Sequence, residues 1–293
     1  MKKYSLFLYI IFLFSASCSV LKKAQKDDST LRFNFEVGDT FIMNTDAEII
    51  ADQLMMGQEI KTIQKITSSE KYEVLNASSD LYTIKMTYLK TTSDTESPMA
   101  SVKLDSERGD PTDIILSSQM GNSFIFTIDK KGNLGEITGL EEIKSTVTEK
   151  LKGTIYETAT EEAIKMYSQE SIKTLLENMF LFYPQEETDQ WSISRNGSFN
   201  NMPAQIETDY SLLEETQILA QSNVVIEGIG NFNGFDMDMD ISGQQNSTIT
   251  LNPQNGLPIS IVTSNSLEGT LVAQGLNIAT EINSQFSITI TQQ

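Results

Sequence analysis

Tyr82-Thr83-Ile84-Lys85-Met86-Thr87-Tyr88 alternates apolar and polar residues without a break. Successive side chains of a strand point to opposite faces, so this pattern marks a strand with one face in a core and the other in water. The same period recurs at Phe124, Phe126 and Ile128 around Ile125 and Thr127, and at Phe286, Ile288 and Ile290 around Ser287 and Thr289. Sheets half open to water are normally antiparallel. Asn-Gly pairs at 196–197, 233–234 and 255–256, the last followed by Leu257-Pro258, are expected to turn the chain between such strands.

The middle of the chain has a different period. Thr138 followed by Glu141 has the form of a capping box, after which Leu140, Ile143, Val147 and Leu151 fall on one helical face and Gly153 offers a stop. Ser168 is placed to cap a second helix with a stripe of Ile172, Leu175, Leu176, Met179 and Phe180, ending before Pro184. A shorter helical piece is expected around Glu161 to Tyr167. The predicted order is strands over 31–137, helices over 139–182 and strands over 188–291, in a single β-rich domain over 31–293. Strands set apart from a helical block predict an α+β, mostly β fold: a curved antiparallel sheet, half-barrel or sandwich-like, with two to three helices packed on one face.

The start of the chain reads as an address. Lys2 and Lys3 precede an apolar run from Tyr4 to Phe14, and Ser15-Ala16-Ser17 lead to Cys18, the only cysteine. The run is of secretory h-region length and too short to span a bilayer. Residues 1–17 are expected to be a signal peptide. The small residues before Cys18 resemble the lipobox of bacterial lipoproteins, although Ser15 stands where leucine is usual; the resemblance implies that Cys18 is lipidated, anchoring the protein without a membrane-spanning segment. An ordinary signal peptide cut nearby is the alternative. Residues 18–30 then form a polar tether. Its Gln25-Lys26-Asp27-Asp28 resembles the acidic export tag of some surface lipoproteins, displaced from its usual place next to the cysteine.

Composition excludes much. With 40 acidic and 21 basic residues the net charge is −19, and removal of Lys2 and Lys3 with the leader moves it to −21. Such a surface is repelled by phosphate backbones, so nucleic acid is not an expected partner. The chain has no histidine, which removes Ser-His-Asp and Cys-His catalysis and His-ligated metals. Asp236-Met237-Asp238-Met239-Asp240 aligns three carboxylates, but an EF-hand loop would need glycine at Ile241 and glutamate at Ser247. An alternating strand with methionines inward is the better reading. No catalytic, cofactor-binding or metal residues are assigned, and no cofactor. Trp191 is expected to be a core anchor whose N–H finds a partner.

The two β halves share a turn logic. Asp129-Lys130-Lys131-Gly132 and Asn252-Pro253-Gln254-Asn255-Gly256 each place an Asx residue and then a glycine between strands, consistent with duplication or with independent convergence on one turn chemistry. Phe35-x-x-Gly38-Asp39, Phe126-Thr127-Ile128-Asp129-x-x-Gly132, Ile137-x-Gly139-Leu140, Tyr183-Pro184 and Trp191 resemble a functionally uncharacterised, Bacteroidetes-type family of outer-envelope lipoproteins. Thr188 stands where that family has glycine. Leu251 to Ser260 also resembles a turn of the half-barrel lipoprotein carriers, which hold lipid chains in a concave sheet. These resemblances imply a non-enzymatic, membrane-anchored envelope protein, a binding module for an apolar or lipid ligand, in the outer membrane on its periplasmic or surface face. The alternatives are an accessory subunit docking on other envelope proteins and a carboxylate-based hydrolase.

Overall fold

The computed structural model describes residues 31–98, 100–186, 188–199, 202–232, 235–273 and 275–293. The first strand group is β1 (Thr40–Met55), β2 (Gln58–Ala77), β3 (Leu81–Ser97), β4 (Ala100–Asp105), β5 (Ser123–Asp129) and β6 (Leu134–Thr138). The helices are α1 (Ile114–Ser117), α2 (Leu140–Leu151), α3 (Thr160–Lys165) and α4 (Gln169–Phe180). The second group is β7 (Gln190–Phe199), β8 (Met202–Glu214), β9 (Gln217–Phe232), β10 (Phe235–Leu251), β11 (Pro258–Ala273) and β12 (Leu276–Gln292).

All twelve strands join one antiparallel sheet in the order β6-β5-β3-β2-β1-β12-β11-β10-β9-β8-β7, with β4 paired to β3 off this path. The first and last strands meet at its middle, Phe41 opposite Gln292 and Leu54 opposite Ala279. Each group therefore spreads outward from the centre, and the helical segment connects the two ends of the ladder. This corrects the expected shape. The protein is mostly β with a few short helices, but its sheet is a single open ladder, neither closed nor strongly curled, and not a half-barrel or sandwich. Alternation sets which residues face a core; curvature depends on twist accumulated over many strand pairs, which no single stretch encodes.

Alternation places the residues of β3 as their period requires. Tyr82, Ile84 and Met86 are buried, as are Phe124, Phe126 and Ile128 of β5, while Ile125 is exposed. These meet Leu140, Ile143, Val147 and Leu151 of α2 and Ile172, Leu176, Met179 and Phe180 of α4 in one cluster. Its centre is aromatic: Phe180 makes edge or tilted contacts with Phe33, Tyr72 and Phe126, with centroids 5.8 to 5.9 Å apart.

The helix ends follow local chemistry. The Ser168 hydroxyl accepts from the Ser171 N–H (3.1 Å), capping α4 as its sequence suggested. At α2 the cap is Gly139 at φ +91°, whereas Thr138 ends β6; the strand claims the residue that the capping-box pattern had assigned to the helix. Asn196-Gly197 lies inside β7, paired with Gln205 and Ala204, so it is no turn. Asn233-Gly234 lies outside the described residues, between β9 and β10. Asp110-Pro111 starts a 3-10 turn, Pro111–Asp113, that leads into α1 and that was not foreseen from the sequence: the Asp110 carboxylate accepts from the Thr112 N–H, and buried Asp113 receives the Arg108 guanidinium at 2.6 Å.

The two Asx turns hold the segment that precedes β1. The Phe33 N–H donates to the Lys130 carbonyl (2.8 Å) and the Asn34 N–H to the Asn255 carbonyl (2.9 Å), one from each turn. Both turns need glycine. Gly132 (φ +91°) lies against the Phe180 carbonyl and Gly256 (φ +70°) against the Arg32 carbonyl, so a Cβ at either would collide with main chain.

Candidate functional site

The helices do not pack over the whole inner face of the sheet. A second cluster contains Ala47, Ile49 and Ala51 of β1, Ile66 of β2, Ala204 and Ile206 of β8, Val224 and Ile226 of β9, Met239 and Ile241 of β10, Leu267 and Leu271 of β11 and Ile282 of β12. Among the described residues it is built from strands alone. Every member lies on the same face as the aromatic core, since within each strand the numbers differ by twos.

On β8 to β12 a polar row runs between the buried members of the two clusters. Following the register across eight strands, Thr208 faces Ser222, Ser222 faces Gln245, Gln245 faces Asn265 and Asn265 faces Ser284. The row continues through Ile49 to Gln64 and Thr95. All seven polar members are buried. Buried polar groups normally find partners, and part of the row does. Thr208 and Ser222 share a hydroxyl–hydroxyl bond and the Asn265 amide donates to the Ser284 hydroxyl at 2.8 Å, while Ser247 and Thr263, one inward position beside the row, share a hydroxyl–hydroxyl bond at 2.8 Å. The Gln245 amide donates to the Ser247 hydroxyl (3.3 Å). The Gln245 and Asn265 amide oxygens and the Thr95 hydroxyl have no partner.

Glu70 is a second unusual group. Its even position in β2 puts it inward with Tyr72 and Val74, it is 7% exposed, and one carboxylate oxygen has no hydrogen-bond partner. Burial pushes its pKa up from the usual 4.5 to about 7, with Ser68 pulling the other way. It lies opposite Met43 and Tyr88, and burial likewise raises the Tyr72 and Tyr88 phenols.

The opposite face of the same strands is hydrophilic. Gln221, Asn223, Gln244, Asn246, Ser264, Ser266 and Gln285 are exposed there. Rows through Gln221, Asn246, Ser264 and Gln285 and through Leu219, Thr248, Val262 and Ser287 border a groove of about 390 Å³ with no charged lining residue. Apolar side chains are also exposed on this face, among them Leu54, Ile229 and Val262. No described helix is long and apolar enough to cross a membrane.

Cys18, the signal peptide and the tether lie outside the described residues. Met239 points into the strand-lined cluster while Asp238 and Asp240 are exposed on the other face. Among the described residues no group of three or more His, Cys, Asp or Glu is placed to hold a metal ion. Trp191 stacks on Tyr210 (centroids 5.3 Å, 6°) and its indole N–H donates to the Phe182 carbonyl (3.1 Å). Arg195 donates to the Leu181 carbonyl (2.6 Å) and the Asn178 amide oxygen, tying the end of α4 to β7. The α4 stripe packs in the aromatic core.

No protein of curated function matches the sequence. Among solved structures, that of lipid–protein interactions in lipovitellin is similar over 89% of this chain, with 11% identity and a TM-score of 0.51. The chain spans about a quarter of that one, 26%, and at this identity the likeness speaks for the fold alone. An outer-membrane channel from Pseudomonas putida F1 (7% identity, 92% of this chain, 100% of that one, TM-score 0.30) carries no argument. Nor does the translocator domain of the autotransporter NalP from Neisseria meningitidis (8% identity, 87% and 89%, TM-score 0.23). Residues 79–258 match the model of a family of unknown function, DUF6263, and since that is more than half of the sequence the chain belongs to that family.

Proposed function

We propose that this protein is a non-enzymatic envelope lipoprotein, anchored through Cys18, that holds a lipid ligand against the strand-lined half of its inner face. The observation that carries the reading is the apolar cluster built from strands alone and bordered by a buried polar row with unpaired amide oxygens. Ligand pockets combine an apolar lining with a few placed polar groups in this way. The polar residues exposed on the outer face support a domain outside the bilayer, and the leader ending at Cys18 supports tethering to it. Lipovitellin, similar in fold, is a protein whose structure concerns lipid–protein interactions; that property is its own and lends direction here.

Ala51 lies within the strand-lined cluster, and Ala51→Trp is the test. Where a ligand occupies the space above Ala51, the indole takes that space: displacement of the fluorescent probe N-phenyl-1-naphthylamine by acyl lipids weakens by about tenfold or more, with melting temperature nearly unchanged. A dry, filled interior gives the contrary result. Overpacking then costs about 1–3 kcal/mol, and the wild type binds no probe.

A further inference from the structure

Resting on the lipid-binding reading above, we infer that the ligand's head group is uncharged and hydroxyl-bearing, as in a monoacyl- or diacylglycerol, and that Gln245 and Asn265 receive it. The two residues face each other across β10 and β11 and are 3% and 5% exposed. Each spends one end of its amide on a serine hydroxyl, Ser247 or Ser284, and leaves the other end unpaired. A hydroxyl both donates and accepts, so it satisfies an amide oxygen or an amide N–H alike.

The same site disfavours an anion. Its free groups are oxygens, and no lysine or arginine lies in the row. Of the charged side chains on this face, Arg195 is three strands from Gln245 and donates to the Leu181 carbonyl, and Glu70 is three strands from Asn265 and adds no positive charge. Desolvating a carboxylate or phosphate there has no compensating partner. The acyl chain is placed by Leu267, two residues beyond Asn265 on the same face, and by Val224, two beyond Ser222.

The test compares monooleoylglycerol with oleate, which share one chain, as displacers of N-phenyl-1-naphthylamine from the delipidated mature protein at pH 8. The glycerol ester is expected to displace the probe about tenfold more tightly. Gln245→Leu and Asn265→Leu, which delete the unpaired polar ends at similar volume, are expected to erase that preference while the probe still binds. Gln245→Glu is expected to weaken oleate further. Equal displacement by both lipids, or a preference that survives both leucine variants, overturns the head-group assignment and leaves the lipid-binding reading standing. Failure of the wild type to bind the probe or either lipid overturns the lipid-binding reading itself.

Discussion

Phe180→Ala destabilises the protein by about 3–5 kcal/mol, the cost of emptying a large aromatic site in a close-packed core. Phe180 ends α4, is 1% exposed, and meets Phe33 of the N-terminal segment, Tyr72 of β2 and Phe126 of β5. Its removal therefore empties a contact shared by three parts of the chain that are distant in sequence. Its carbonyl also abuts Gly132, so little room exists for α4 to slide into the void. Guanidinium denaturation gives the measurement, with Val262→Ala on the exposed face as the control expected to change stability by less than about 0.5 kcal/mol. A loss below about 1 kcal/mol for Phe180→Ala would show that α4 is not docked as described.

Glu70→Gln has an effect that depends on pH. A raised carboxyl pKa means that, between 4.5 and about 7, folded chains hold a proton that unfolded chains have released. Stability contributed by neutral Glu70 is thus present below 4.5, falls as pH rises through that window and is gone above about 7. The shift corresponds to about 3 kcal/mol. Glutamine keeps the shape and never ionises, so the variant is expected to be more stable than wild type by about 3 kcal/mol at pH 8 and by less than about 1 kcal/mol at pH 5. Denaturation at the two pH values checks it, and an equal difference at both would exclude Glu70 as the cause.

Glu70 was not singled out in the sequence, although its even number puts it in phase with Ile66, Tyr72 and Val74. The alternation of Tyr82 to Tyr88 and the stripe of α4 were legible because period reports local burial. Signals that depend on context were not. Asn196-Gly197 has the composition of a turn but pairs within β7, and Thr138 has the form of a cap but ends a strand. Propensity is a weak prior that pairing overrides.

The polar row was beyond reach of the sequence. Thr208, Ser222, Gln245, Asn265 and Ser284 are ordinary residues in Ser- and Thr-rich strands, and a shift of one residue in any register would turn them to water. Only the observed pairing, including β1 against β12 from opposite ends of the chain, brings them into line. The open form of the sheet was hidden likewise.

Native mass spectrometry of the protein purified from its own membrane tests the lipid-binding reading most directly. The expected spectrum shows a chain beginning at Cys18 with covalent acyl modification, together with a reproducible noncovalent adduct of one lipid mass that Ala51→Trp removes. An adduct-free protein, or one that co-purifies with a protein partner and no lipid, would contradict it.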